Sequence, residues 1–175
     1  LSQYGYNLTG IDNSSLLVRE AQKNNDGYNV RIEHKDILNL DYESESFDFA
    51  YCINSLHHLK GENDFLTALS QIRRILKKDG LLIVHELNTF FIFRMYLNYI
   101  FPLTNKIDAF GGENWISPAK IRKQGLFDVK EIYFYTFFPH ILPKPYFNIF
   151  IKVNEMLEKN FFRRFGAHYM AVLKK

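Results

Sequence analysis

A doubly wound α/β sheet of mostly parallel strands is the fold class this sequence predicts, and three observations carry the prediction. Residues 47–53 and 81–84 are short apolar runs rich in β-formers that do not alternate cleanly, as expected of parallel strands covered on both faces. Between them Phe65, Leu66, Leu69, Ile72 and Leu76 recur at three- and four-residue spacing, so one stripe of a helix faces the sheet. Strand and helix signals then alternate along the first half of the chain, the pattern of repeated βαβ units.

A first strand over 8–11 ends at Asp12, and the helix after it is offered caps by Asn13, Ser14 and Ser15. That helix carries Leu16, Leu17, Val18 and Ala21 and stops in the Asn-Asn-Asp-Gly turn at 24–27. A second strand over 30–34 leads to Asp36 and Ile37, and an acidic loop with Asp41, Glu43 and Glu45 leads to the third strand, 47–53. Asn63 or Asp64 is expected to cap the next helix; Lys77, Lys78 and the Asp79-Gly80 turn are expected to close it before the fourth strand at 81–84.

Past Glu86 the character changes. Residues 89–103 are apolar and aromatic except for Arg94 and Asn98, too short and interrupted for a spanning helix, which needs roughly 20 apolar residues. They read as a buried helix, an interfacial helix, or part of an apolar lid insertion over 89–116. Ser117-Pro118 starts a short helix that Gly125 ends, and 127–138 reads as a strand, beyond which Pro139, Pro143 and Pro145 interrupt regular structure. An amphipathic helix over 146–164 and a terminal strand over 167–173 complete a single domain spanning 1–175.

With 175 residues, 47% of them hydrophobic, the chain can bury a substantial single core. Its net charge of +3 is spread among acids rather than blocked, which gives little support to a nucleic-acid or anionic-membrane partner. The aromatic second half keeps peripheral membrane contact in view. Cys52 is the single cysteine, so the chain holds no disulfide framework and no thiolate metal site, and a cytoplasmic setting is expected. The sequence opens Leu-Ser-Gln-Tyr without an initiator Met or a recognisable targeting segment, as a fragment would.

In an open α/β sheet ligands bind outside the carboxyl ends of the strands. The residues there are Asp12, Asp36-Ile37, the stretch 53–58 and Glu86-Leu87-Asn88. An ionised Asp12 offers two acceptor oxygens to the hydroxyls of a ribose, or is a surface acid ending a strand. Asp36 beside Ile37 can meet an amino group and ring face of an adenine, or cap a loop over a core isoleucine.

Taken together, GIDNSSLLVREAQ, HKDILNL, FDFAYCINSLHHL, IRRILKKDGLLIVHE and ENWISPAKIRKQGLFDVKEI resemble, in order, the class I S-adenosylmethionine-dependent methyltransferases of small-molecule type. The resemblance covers about residues 9–132, with RRFGAHYMAVLKK similar to the last strand of that family. It implies a Rossmann-like methyltransferase fold, a mostly parallel sheet with an antiparallel last strand. Here it lacks the first strand and the glycine-rich G-x-G-x-G loop, because nothing before Leu8 supplies them; an N-terminally truncated sequence is expected. Carried over, it makes Asp12 the ribose ligand of S-adenosyl-L-methionine, with Asn13 beside it. Asp36 and Ile37 become the adenine contacts, and Asn54 and Ser55 flank the amino-acid end. His57 and His58 have two readings: a base taking a proton from the nucleophile, or rings that cap the strand–helix turn and line the pocket. Adjacent histidines with Glu86 lack the spacing of a metal ligand set, and no metal is expected.

The function expected is methyl transfer to a small-molecule acceptor, apolar or lipid-linked if the aromatic segment is a lid. Two alternatives stay open: a nicotinamide-dependent Rossmann oxidoreductase, whose ribose Asp12 could equally serve, and a non-catalytic, methyltransferase-like interaction module.

Overall fold

The computed structural model describes residues 5–25, 29–88, 114–135, 152, 155, 156 and 161–175. Its strands are β1 (Leu8–Asp12), β2 (Val30–His34), β3 (Phe47–Ile53), β4 (Leu76–Leu87), β5 (Asp128–Tyr135) and β6 (His168–Lys174). Among these residues the α-helices bounded at both ends are α1 (Ser15–Lys23), α2 (Gly61–Ile75) and α3 (Pro118–Lys123), with 3-10 turns at Leu56–His58 and Phe161–Phe165.

The strands form two sheets. β1 and β2 pair in parallel, Leu8 opposite Val30 through Asp12 opposite His34. The other sheet has the order β3-β4-β6-β5. β3 and β4 are parallel, while β6 runs antiparallel to both β4 and β5. The expected antiparallel last strand is therefore present, inserted between two strands that precede it in the chain. β3 is not paired with β1 among the described residues; the link near them is the Tyr6 ring, 5.9 Å from that of Phe49 and edge-on to it.

The core lies between the four-stranded sheet and helices α2 and α3. Phe65, Leu69 and Ile72 of α2 and Ile121 of α3 are buried with Leu82 and Val84 of β4 and Tyr169 and Leu173 of β6. Period-two alternation on β4 puts Leu82, Val84 and Glu86 on this inner face.

Several local expectations are corrected. β3 is not covered on both faces: Cys52 is buried, but Tyr51 and Ile53 are 43% and 53% exposed. On α1 only Val18 is buried, whereas Leu16 and Leu17 lie open to solvent; Ser14 caps the helix, accepting from the Leu17 N–H. Helix α2 begins at Gly61, earlier than Asn63 or Asp64 suggested, with Lys60 before it and Glu62 and Asp64 in its first turn, where acids favour the positive helix end. It ends at Ile75, so Lys77, Lys78, Asp79 and Gly80 lie within β4 around a register shift opposite Phe47 and Phe49. Asp79 there has φ of 64°, and a Cβ on Gly80 would come within 2.9 Å of the Lys77 carbonyl and 3.2 Å of that of Asp48. That close approach requires glycine.

Helix α3 starts one residue after its Ser117 cap, with Pro118 at the first position as expected. The end of the expected amphipathic helix is instead the 3-10 turn Phe161–Phe165. The rest of 136–160, apart from helical residues at 152, 155 and 156, lies outside the described residues, as do positions 89–113 of the lid segment. Among the described residues no helix is long and apolar enough to cross a membrane.

Candidate functional site

Every sequence-predicted site residue falls at or just past the carboxyl end of a strand. Asp12 ends β1 and is half-buried, with exposed Asn13 next to it. Asp36 and Ile37 follow β2; Asp36 is exposed, and Ile37 packs against the core. Asn54, Ser55, His57 and His58 follow β3.

The two aspartates are held alike. Asp12 Oδ1 accepts the Ser14 N–H at 2.7 Å, and Asp36 Oδ1 accepts the Leu38 N–H at 2.9 Å. Each is a turn closed by a carboxylate two residues upstream, which fixes the side chain. In each, Oδ2 has no hydrogen-bond partner among the described residues. The ends of β1 and β2 are tied together by the Lys35 N–H to the Asp12 carbonyl at 3.1 Å and by His34 Nε2 at 2.9 Å from the Asn13 carbonyl.

At β3 and β4 the arrangement is tighter. Asn54 takes a left-handed conformation, φ 44°, and its N–H donates to the His85 carbonyl at 2.8 Å, so the chain turns sharply where β3 stops. The buried Glu86 carboxylate then collects the turn: Oε1 accepts the Leu56 N–H at 2.9 Å, and Oε2 lies 2.6 Å from His57 Nδ1. A carboxylate acceptor makes Nδ1 the protonated ring nitrogen. His57 is buried, while His58 is exposed with its ring centroid 4.1 Å away.

Two groups to which the sequence assigns no role complete this wall. Trp115 stacks near His57, centroids 5.8 Å apart and planes 20° off parallel, and the Asn114 N–H donates to the His57 carbonyl at 2.9 Å. Asn114 Nδ2 also reaches the Gly61 carbonyl at 2.8 Å, and the buried Tyr169 hydroxyl donates to the Ile116 carbonyl at 2.6 Å. Residues 114–116 are thereby pinned over the start of α2. In the sequence Glu86 reads as a strand-end acid, and as a metal ligand only with histidines that lack the spacing for it. Its place on the buried face follows from alternation with Leu82 and Val84, and a buried acid demands donors. Asn88, also at this strand end, is buried and structural: its side chain donates to the carbonyls of Arg164 and Gly166.

Burial pushes the Cys52 thiol up to about 12, with the Glu86 charge adding and a Ser55 hydrogen bond opposing, so Cys52 is an inert core thiol rather than a nucleophile. Burial, and then Glu86, likewise raises the Tyr169 hydroxyl well above its ordinary range. Among the described residues no group of three or more His, Cys, Asp or Glu side chains could hold a metal ion.

A family model described as a methyltransferase domain matches residues 1–84, which include β1, β2, β3, α2 and most of β4. A demethylmenaquinone methyltransferase of Staphylococcus aureus strain JH9 is 27% identical over 135 residues, covering 72% of this chain and 55% of its own length. The chain thus spans about half the length of the curated relatives it matches. Among solved structures, an S-adenosylmethionine-dependent methyltransferase from Methanosarcina mazei superimposes with a TM-score of 0.70 at 17% identity, covering 99% of this chain and 84% of that one. The cyclase SpnF superimposes with a TM-score of 0.60 at 17% identity, covering 95% and 66%. At these identities the likeness to solved structures is one of fold, and a fold hosts more than one chemistry. The parallel β1–β2 and β3–β4 pairs, the antiparallel β6 between β4 and β5, and these superpositions give the conclusion: this chain has the Rossmann-like class I methyltransferase fold.

Proposed function

We propose that the protein transfers a methyl group from S-adenosylmethionine to a small-molecule acceptor. The observation that carries this reading is the matched state of Asp12 and Asp36 at neighbouring strand ends, each with one oxygen tied to backbone and the other open. Two fixed carboxylates with spare acceptor capacity suit the hydroxyls of a ribose and the amino group of an adenine, so this end fits the nucleoside of the cofactor. Ile37 would lie against the base, and Asn54 and Ser55 would take the amino-acid end. When bound, S-adenosylmethionine supplies an electrophilic sulfonium methyl. The chain's own contribution is to orient the acceptor and exclude water, with the Glu86-anchored turn and Trp115 as one wall. His58, the exposed ring of the pair, is the residue proposed to accept the nucleophile's proton, and His57 holds the turn.

The antiparallel β6 favours this reading over a nicotinamide oxidoreductase. An apolar acceptor is proposed because Phe90, Phe91, Phe93, Tyr96, Tyr99 and Phe101 crowd one segment, and because the curated relative is named for demethylmenaquinone. A cytoplasmic enzyme working at a membrane surface fits such an acceptor. Isothermal titration of the full-length gene product with S-adenosylhomocysteine tests the reading. Saturable binding that Asp12→Ala weakens is expected; no binding, or binding of NAD instead, overturns it.

A further inference from the structure

At the opposite end of the sheet, where β4 and β5 begin and β6 finishes, lies an open groove of about 580 Å³. Arg73, Arg122, Lys174 and Lys175 line it with Asp128 and the turn from Gly125 to Phe127. Its charges are unevenly matched. Lys174 pairs with Asp79 at 2.8 Å, Lys175 with Glu45 at 3.4 Å, and Asp128 with Lys130 at 3.4 Å. Among the described residues no carboxylate pairs with Arg73 or Arg122.

The groove is also preorganised. Gln124, a buried side chain at the end of α3, folds back on its own turn: its Oε1 accepts the N–H groups of Leu126 and Phe127, and its Nε2 donates to the Phe127 carbonyl. Gly125 turns the chain with φ of 72°. The turn so fixed presents the Leu126 carbonyl to Arg73 Nε at 2.8 Å. That bond uses the inner nitrogen and leaves the two terminal nitrogens of the guanidinium free to form a fork.

Basic residues in a last helical turn commonly serve the helix's own negative end. Three of the last four carbonyls of α2 are served otherwise: Ile72 accepts from the Leu76 N–H, Arg74 from Glu45 and Ile75 from Ser46. Arg73 points instead at the neighbouring turn, and its charge is left to the groove.

We propose that this groove is an anion site that binds a phosphate group between Arg73 and Arg122. A phosphate carries enough charge and acceptor oxygens to engage two guanidinium groups at once, where a single carboxylate would leave one unmatched. The phosphate can belong to a soluble compound or to a lipid headgroup, and the probes distinguish these. Inorganic pyrophosphate is titrated calorimetrically into the full chain, and sedimentation is measured with vesicles of phosphatidylglycerol in phosphatidylcholine against phosphatidylcholine alone. Binding of pyrophosphate assigns a soluble phosphate; binding of the anionic vesicles alone assigns a headgroup; either supports the site. Arg122→Gln, which breaks no side-chain hydrogen bond among the described residues, is expected to weaken the binding about ten-fold, and Arg73→Gln at least as much. Lys123→Gln removes the same charge from the exposed end of α3 outside the groove and is expected to leave binding unchanged. Thermal unfolding of each variant checks that the fold is kept. The proposal is overturned if neither probe binds, or if Lys123→Gln weakens binding as much as Arg122→Gln.

Discussion

The two halves of the candidate site are built on opposite principles. Where β3 and β4 end, Glu86 and His57 are almost wholly buried, and one carboxylate satisfies a backbone donor and a ring nitrogen. Where β1 and β2 end, a two-stranded sheet with no fully buried residue carries Asp12 and Asp36, each holding an acceptor oxygen in reserve. The first half spends its polar groups on its own shape; the second keeps them for something else. A buried, satisfied group reads as architecture and a fixed, unsatisfied one as recognition.

Glu86→Leu is expected to have the largest effect, because it strands the Leu56 N–H and His57 Nδ1 in the core. Loss of one partner of a buried pair costs about 3–5 kcal/mol, a large share of the roughly 5–15 kcal/mol that holds a typical domain together. Urea denaturation reads this directly. Glu86→Gln keeps an acceptor for Leu56 and is expected to cost roughly half as much. If both variants are as stable as the parent, the division between the halves fails.

Asp12→Ala gives the complementary test. It removes one turn hydrogen bond, worth about 1 kcal/mol of stability, yet is expected to lower S-adenosylhomocysteine affinity about ten- to hundred-fold, as loss of a charge-assisted hydrogen bond does. A loss of stability larger than the loss of affinity would make Asp12 structural after all. His58→Ala sharpens the first half from within. Stability is expected to stay within about 0.5 kcal/mol, while the turnover rate for methyl transfer falls about hundred-fold.

The legibility of these features differs for physical reasons. Strands at 30–34 and 47–53 have in the structure the bounds the sequence suggests, because Val, Ile, Phe and Tyr cluster there between turn residues. The start of α2 is displaced because an acid is favoured at any position in a first turn, so Asp64, like Glu62, marks a helix start without fixing its cap, and Asn63 lies inside the first turn rather than before it. The exposure of Tyr51 and Ile53 is not legible, since an apolar run reports what a strand could bury and not what its neighbours cover. Asp12 and Asp36 stand out because strand-end acids are local signals. Trp115 does not, because its meaning lies in a ring stacked against His57 from a distant part of the chain. Contacts between remote segments leave no periodicity to read.

His85 supplies the smallest effect and the sharpest version of the comparison, since it adjoins Glu86 but points to the other face of β4. There its ring lies 5.4 Å from those of both Tyr135 and His168, and its Nε2 is a buried nitrogen with no hydrogen-bond partner among the described residues. Burial lowers its pKa below the ordinary 6.5, with the Glu86 charge acting weakly the other way. The unfolded chain therefore takes up a proton near pH 6.5 that native His85 still refuses, and stability falls as pH drops from there through the lowered native value. Urea midpoints measured at about pH 7.5 and about pH 5.5 are expected to differ less in His85→Leu than in the parent. An equal difference in both proteins would mean that the acid sensitivity arises elsewhere. It would also mean that the neighbouring faces of β4, one with its acid fully partnered and the other with an unpartnered ring nitrogen, do not differ in what they contribute to folding.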